Sequence, residues 1–421
     1  MIKKEELPET GLPLETMLKE QIYDALQGEM VEFILKEAKV RKTENYWRYI
    51  LEGHSFKVDE KISGKLYKLF HEVKKNLGFE EPVDFYITSS AEVNAWALAS
   101  AEEDEPHIIN INSSLLQLIS DDELKFIIGH EIGHLITKNA ELMRLIHFIF
   151  PNQGNLPGIL QHKVRLWGQL SELIADRYGY IACPDLPACI SAFFKMSSGL
   201  DSKRVDLDIP AFMEENEERL QFFLKDTGLN VATHPINPVR VKAIELFSRS
   251  AEFTSPKATK DVSLSSEELQ KQMDELIQVL LRIKSSMLDY HITHFIASAG
   301  LLVANLDGEI SDKEIEAINV SLSDFTIFPG RFLQNLYESG KVAEVFNESI
   351  HNILEINPAE KERLLGFMIE MALADKKIQA EEINFIFNLG HQGFGYSHKE
   401  VAQIFAGMIQ QRFMPCIHGL S

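Results

Sequence analysis

The sequence predicts a mainly helical chain with a small β-sheet, organised as a mixed core region followed by an all-helical domain. Three observations support this. Apolar residues recur at helical spacing along most of the chain, while residues 83–88 alternate at period two and read as a strand. Two capping boxes, Ser120 to Glu123 and Ser265 to Glu268, each open a new helix. Between them, residues 248–266 are rich in Ser, Thr, Lys and Pro, the composition of a linker.

In chain order, residues 1–78 read as a helical region with amphipathic stretches at 14–39 and 61–77. Residues 79–250 form the core, 251–265 the linker, and 266–421 the all-helical domain. The 421 residues have room for two or three domains, and 45% apolar with 25% charged residues is ordinary for a globular protein. A formal net charge of −21 argues against nucleic acid or an anionic membrane surface as a partner. Cys183, Cys189 and Cys416 are an odd, sparse set that fits a reducing compartment better than a disulfide framework. The first two flank a Pro-containing turn and read as free buried thiols, with a redox pair as the alternative. The N-terminal residues lack the apolar core of a signal peptide. The apolar stretch at 142–150 is too short to span a membrane, and Met287–Ala304 carries Asp289, His291 and His294. A cytoplasmic protein without a membrane span is therefore expected.

The most informative residues are His130-Glu131-Ile132-Gly133-His134. Histidines four apart share one helix face, so their imidazoles can take adjacent corners of a zinc tetrahedron while Glu131 stays free to act on water. The helix opened by Ser120 is apolar nearly all round, so it is buried, and three ionisable groups inside it need partners. The alternative is a core helix whose histidines bond backbone carbonyls. Residues 159–182 form a second helical stretch in which Glu172 and Asp176 are spaced i, i+4. Two carboxylates on one packed face repel unless a cation lies by them. Zinc ligated by Glu172, with Asp176 orienting one histidine from behind, supplies it. The other reading is a charged face with Asp176 and Arg177 in water. Further on, Asn237 before Pro238 reads as an N-cap, which puts Arg240 in the first turn, where a carboxylate or substrate oxygen would suit it.

Together the His130–His134 motif, Glu172 with Asp176, and Thr233-His234-Pro235 with Arg240 resemble the gluzincin metalloendopeptidases that include the bacterial heat-shock protease HtpX and the CAAX prenyl endopeptidases. Asn94-Ala95-Trp96-Ala97 is similar to the run that forms the edge strand of that family's active cleft, and a second strand at 107–111 follows in the family's order. The turn at 100–106 is longer and more acidic than the family's Gly-rich one, which changes the expected charge of the cleft rim.

The resemblance covers about residues 80–247 and implies a zincin-like metallopeptidase domain. In that reading one Zn2+ is held by His130, His134 and Glu172, and Glu131 acts as general base on the zinc-bound water. It offers His234 and Arg240 as oxyanion donors, with His234 alternatively closing the metal in a resting state. Asn94, Ala95, Trp96 and Ala97 would pair with the backbone of a peptide or unfolded protein substrate.

The C-terminal part holds a weak repeat, Asp-x-x-Ile-x-x-x-Glu-Ile, at Asp307 to Ile315 and again at Asp375 to Ile383. Val303 stands where a calcium-binding EF-hand loop needs its first Asp, which excludes that site. The frame resembles the TerB-type helical domain over about 270–410, with acidic residues at these turns (Asp307, Glu314, Asp375, Glu382). The local alternative is that Asp307 and Ser311 cap helices while Ile310 packs in the core. Recruitment or regulation through a protein partner is the role expected of this domain. The alternatives of another class are a catalytically quiet metal- or peptide-binding scaffold and a stress-related interaction protein.

Overall fold

The computed structural model describes residues 10–37, 43–100, 105–151, 158–225, 235–250, 264–281, 287–306, 310–323, 325–373 and 380–411. His234, Asp307, Asp375, Cys416 and most of the acidic turn at 100–106 lie outside them. The chain divides into two compact units, the first of residues 1–156 and 161–283, the second of 157–160 and 284–421.

Unit 1 opens with α1 (Pro13–Ala25), α2 (Gly28–Glu37) and α3 (Thr43–His54), followed by β1 (Phe56–Lys57) and α4 (Gly64–Asn76). The single amphipathic stretch expected at 14–39 is two helices, because the chain turns at Gln27 with φ +52°. Next come β2 (Val83–Thr88), β3 (Ala95–Leu98), β4 (His107–Asn112), α5 (Ser113–Leu118), α6 (Asp121–Ile136) and α7 (Asn139–Ile149). The unit finishes with α8 (Gly158–Ala182, in this unit from residue 161), α9 (Leu186–Ser198), α10 (Ile209–Lys225), α11 (Asn237–Ser248) and α12 (Ser266–Ile277).

The four strands lie in the order β1-β2-β4-β3, with β2 and β4 parallel and β3 antiparallel to β4 at the edge. On one face Phe85, Ile109 and Ile111 are buried, and Phe70 of α4 stacks on Phe85 at 4.2 Å between ring centroids. Helix α6 packs against β3, β4 and α4. On the other face Tyr86 and Ile108 form a small core with Leu51 of α3, and Trp96 and Leu98 pack against it. The alternation of strand side chains thus gives the short edge strand two covered faces.

Two boundaries differ from expectation. The capping box at Ser265 and Glu268 is formed, but the helix it opens packs on α11 inside unit 1, so the units divide between Ile283 and Lys284. Apolar Leu269, Met273, Leu276 and Ile277 are buried there, which linker composition upstream could not show. Asn237 is the first residue of α11 rather than its cap; Ile236 takes that position, with Pro238 in the first turn as anticipated. The acidic run on α10 is a largely solvated face: Glu214, Glu215 and Glu218 are exposed, and Glu217 pairs with Lys242.

Unit 2 holds α13 (Met287–Ala304), α14 (Asp312–Leu322), α15 (Pro329–Glu338), α16 (Val342–Ile356), α17 (Lys361–Ala372), α18 (Ala380–Asn388) and α19 (His398–Gln411). By length and composition α13 could cross a membrane, yet Phe295, Ala297 and Ala299 sit in the middle of this unit's core. Gly300 lets Ile318 of α14 approach so closely that a Cβ would fall 2.6 Å from it. The repeated Glu-Ile frame opens α14 and α18, each following a core helix, α13 and α17.

Candidate metal centre

Helix α6 begins on its capping box, with the Ser120 hydroxyl accepting from the Glu123 amide and the Glu123 carboxylate accepting from Ser120. Its last two turns carry His130, Glu131 and His134. Helix α8 crosses it at very close range. A Cβ on Gly129 would lie 2.5 Å from the Ala182 Cβ, and one on Gly133 2.9 Å from Tyr178. From α8, Gly179 reciprocates against Phe126. These absent side chains let Glu172 reach the two imidazoles.

The donor atoms converge. His130 Nε2 and His134 Nε2 are 3.1 Å apart. His130 Nε2 lies 3.6 Å from one Glu172 oxygen, and His134 Nε2 lies 3.3 Å from the other. Ligands about 2.0–2.1 Å from a tetrahedral zinc are separated by about 3.3 Å, and each imidazole lies near that distance from the other and from a different Glu172 oxygen, with one donor atom of each residue within 4.8 Å of the others. Among the described residues this is the one group of three or more His, Cys, Asp or Glu whose donors come together in this way.

Behind the donors lies a buried ion pair. Asp176 Oδ1 accepts from His130 Nδ1–H at 2.8 Å, which fixes the tautomer and turns Nε2 towards the donor cluster. Arg240 donates to both Asp176 oxygens, at 2.8 Å from Nε and 2.6 Å from Nη2, and its guanidinium lies 4.7 Å from the Phe193 ring centroid. Asp176 and Arg177 are 1% and 3% exposed, so the reading that places them in water does not hold. Arg177 donates to the Thr10 and Gly11 carbonyls before α1. The carboxylate anticipated beside Arg240 is Asp176.

The electrostatics follow from burial. Burial pushes the Glu131 carboxyl up, only partly offset by the two histidines. Burial would do the same to Glu172 and Asp176. Instead His134 holds Glu172 far below the usual carboxylate range, and Arg240 and His130 hold Asp176 below it. Burial lowers His134, and Glu172 more than reverses this. Three buried carboxylates therefore face one guanidinium and two imidazoles. A divalent cation at the three donors balances that charge, and the donor set of two nitrogens and a carboxylate suits zinc.

A cleft opens on this cluster. It is lined by Asn94, Ala95, Trp96 and Ala97 on one side and by His130, Glu131, His134, Glu172 and Arg240 on the other. All the described candidate residues named for site roles border it, apart from Asp176 behind them. Sequence reasoning missed Met196 of α9, which completes the lining, and Phe126 and Ile127 at its floor. It also missed the support from α1. Glu15 accepts from the Trp167 indole at 2.8 Å and the Ser171 hydroxyl at 3.4 Å, one residue before Glu172, and Lys19 bonds the Thr137 carbonyl at the end of α6. The one legible signal was Gly129 with Gly133, four apart on one face. Cys183 and Cys189 are buried free thiols, and burial raises both.

Comparison with known proteins agrees with this geometry. Residues 60–248 match the profile described as peptidase family M48, and residues 293–406 that described as tellurite resistance protein TerB. The plastoglobule-localized metallopeptidase 48 of Arabidopsis thaliana is 26% identical over 217 residues, covering 48% of this chain and 62% of that protein. Metalloprotease YcaL of Escherichia coli is 30% identical over 76 residues, covering 17% of this chain and 28% of that protein. No solved structure matches. With its metal-ligand cluster inside the first match and its helical unit holding the second, the chain carries an M48 peptidase domain followed by a TerB domain.

Proposed function

We propose that this protein is a zinc-dependent metalloendopeptidase of the HtpX and CAAX endopeptidase type, with one zinc per chain. It would cleave extended segments of peptides or unfolded proteins, with the TerB domain recruiting or regulating. The observation that carries this is the convergence of His130, His134 and Glu172 donors within 4.8 Å of one another, with buried Glu131 beside them. Zinc held by these three residues supplies a Lewis acid that polarises water and the scissile carbonyl.

The remaining work falls to the chain. Glu131 accepts a proton from the attacking water and returns it to the leaving amine. Asp176 keeps His130 in the tautomer that points Nε2 forward, and Arg240 keeps Asp176 charged and in place. Arg240 also borders the cleft, where its charge favours a developing oxyanion. The edge strand β3 offers backbone for an added substrate strand.

The test is metal analysis and digestion of an unfolded protein, wild type beside Glu131→Gln. The wild type should hold about one zinc and cleave. The variant should keep zinc and fold but lose at least about 10²–10⁴-fold in rate. Equal cleavage by both would overturn the reading. A variant and wild type that both bind zinc and peptide without cleaving would favour a binding scaffold.

A further inference from the structure

The edge strand that borders the metal cleft has a second face, and that face carries an aromatic ledge. The Asn112 amide bonds the Asn94 carbonyl, which fixes the antiparallel phase. Residues 94, 96 and 98 then turn their backbone groups to β4, and Ala95 and Ala97 turn theirs to the open edge. Side chains alternate across the same strand. Ala95 and Ala97 lie on the face that packs on α6. Trp96 and Leu98 lie on the opposite face, against Leu51, Tyr86 and Ile108.

On that opposite face Trp96 meets Trp47 of α3, with ring centroids 5.6 Å apart, and Tyr46 meets Trp47 edge-on at 5.7 Å. Both α3 rings are open to solvent, Tyr46 at 62% and Trp47 at 41%. They are held in place nonetheless, because the next residue, Arg48, bonds Asp84 at 2.7 Å and also the Pro106 carbonyl, and Leu51 is buried one turn on. Tyr46 and Trp47 precede residue 60, where the peptidase-family match begins, so two of the three rings lie outside the matched region and Trp96 lies within it.

A peptide paired on the open edge of β3 must alternate its side chains in the same way. Those opposite Ala95 and Ala97 point towards α6 and the metal ligands. The neighbouring side chain, opposite Trp96, points to the other face and arrives beside Trp96 and Trp47. We propose that Tyr46, Trp47 and Trp96 form a specificity subsite for one large apolar or aromatic side chain of an extended substrate. This deepens the metalloendopeptidase reading and rests on it. Such a subsite favours unfolded segments, since large apolar side chains are more often buried than exposed in a folded protein.

The experiment uses full-length, zinc-loaded protein and a set of decapeptides in which Phe, Leu, Ala or Glu is stepped through each position. Cleavage gives kcat and KM separately, and binding to the Glu131→Gln protein gives Kd without turnover. The wild type should prefer Phe and Leu to Ala at one position by about tenfold, mainly through KM. Trp47→Ala should bring that preference close to one, and Trp47→Phe should restore most of it. Equal zinc content and far-ultraviolet spectra establish that the variants are folded. Cleavage with the preference unchanged in Trp47→Ala overturns the subsite while leaving the peptidase reading intact. If no peptide is cleaved, the peptidase reading fails and Kd decides the subsite alone: a Phe preference lost in Trp47→Ala supports it, and no preference, or no binding, overturns it.

Discussion

The two units bury different things. Unit 2 closes over an apolar core of Phe295, Leu365, Met368, Ile369 and their neighbours, and its buried carboxylates Glu314 and Glu382 sit in the first turns of their helices. Glu314 accepts from the Ser311 amide, so it satisfies a helix end. Unit 1 instead buries Glu131, Asp176, Arg177, Lys195 and Arg240 among its apolar residues, besides its own helix-end carboxylate Glu123. A helical core has no need of such charges, and their desolvation is costly. What they share is position around α6 and α8. The difference teaches that buried charge beyond what helix ends require gathers around the candidate metal centre.

The largest break in this contrast comes from the pair behind the ligands. Asp176→Asn leaves Arg240 charged and unpaired in the interior, so unit 1 should lose about 3–5 kcal/mol. Zinc affinity should fall with it, and unit 2 should unfold at its wild-type midpoint. Denaturant titration with probes in each unit checks this; equal loss in both units would mean they unfold together.

Next in size is the helix contact. Gly129→Ala forces a methyl against Ala182 and should push α6 from α8, costing about 1–3 kcal/mol and weakening zinc retention against a chelator. Unchanged chelation kinetics would show that the ligand distances do not depend on this approach.

Acid sharpens the contrast through the pair of Lys195 with Glu123, 2.8 Å apart. Burial alone would raise Glu123, but Lys195, the Ser191 hydroxyl and the Ser120 amide hold it below the usual carboxylate range. A depressed carboxyl stabilises the fold above its unfolded value, and that stability is lost as pH falls through the folded value. Each unit of depression is about 1.4 kcal/mol. Below the ordinary Glu range unit 1 should therefore lose stability, and a Glu123→Gln variant should show a shallower slope there. Parallel slopes would remove Glu123 from the acid response.

The smallest effect belongs to unit 2. Ser311→Ala removes the cap of α14 and should cost about 1 kcal/mol, with zinc content and cleavage unchanged. A change in cleavage would mean that the start of α14 is coupled to the metal centre.

These particulars show how far the sequence reached. That His130 and His134 share one face beside Glu131 is legible because their spacing along one helix sets it. Glu172 and Asp176 were legible for the same reason on the next helix. The capping boxes at Ser120 and Ser265 form as their spacing predicts, since a cap is a bond between residues three apart. Ile236 was not foreseen as the cap of α11, because backbone geometry alone decides it when no side chain bonds.

What the sequence by itself determined is therefore local: helix starts, the face each charged group occupies, the order of the motifs, and the repeat that opens α14 and α18. Tertiary structure decided everything that joins residues far apart. It set Arg240 on Asp176 across 64 positions, Glu15 on Trp167 across 152, and Trp47 against Trp96 on the far face of the edge strand. It also placed α12 with the peptidase unit despite the linker-like composition before it. The physical reason is that periodicity and caps are written in neighbours along the chain, whereas a buried charge finds its partner only when packing has excluded water from both.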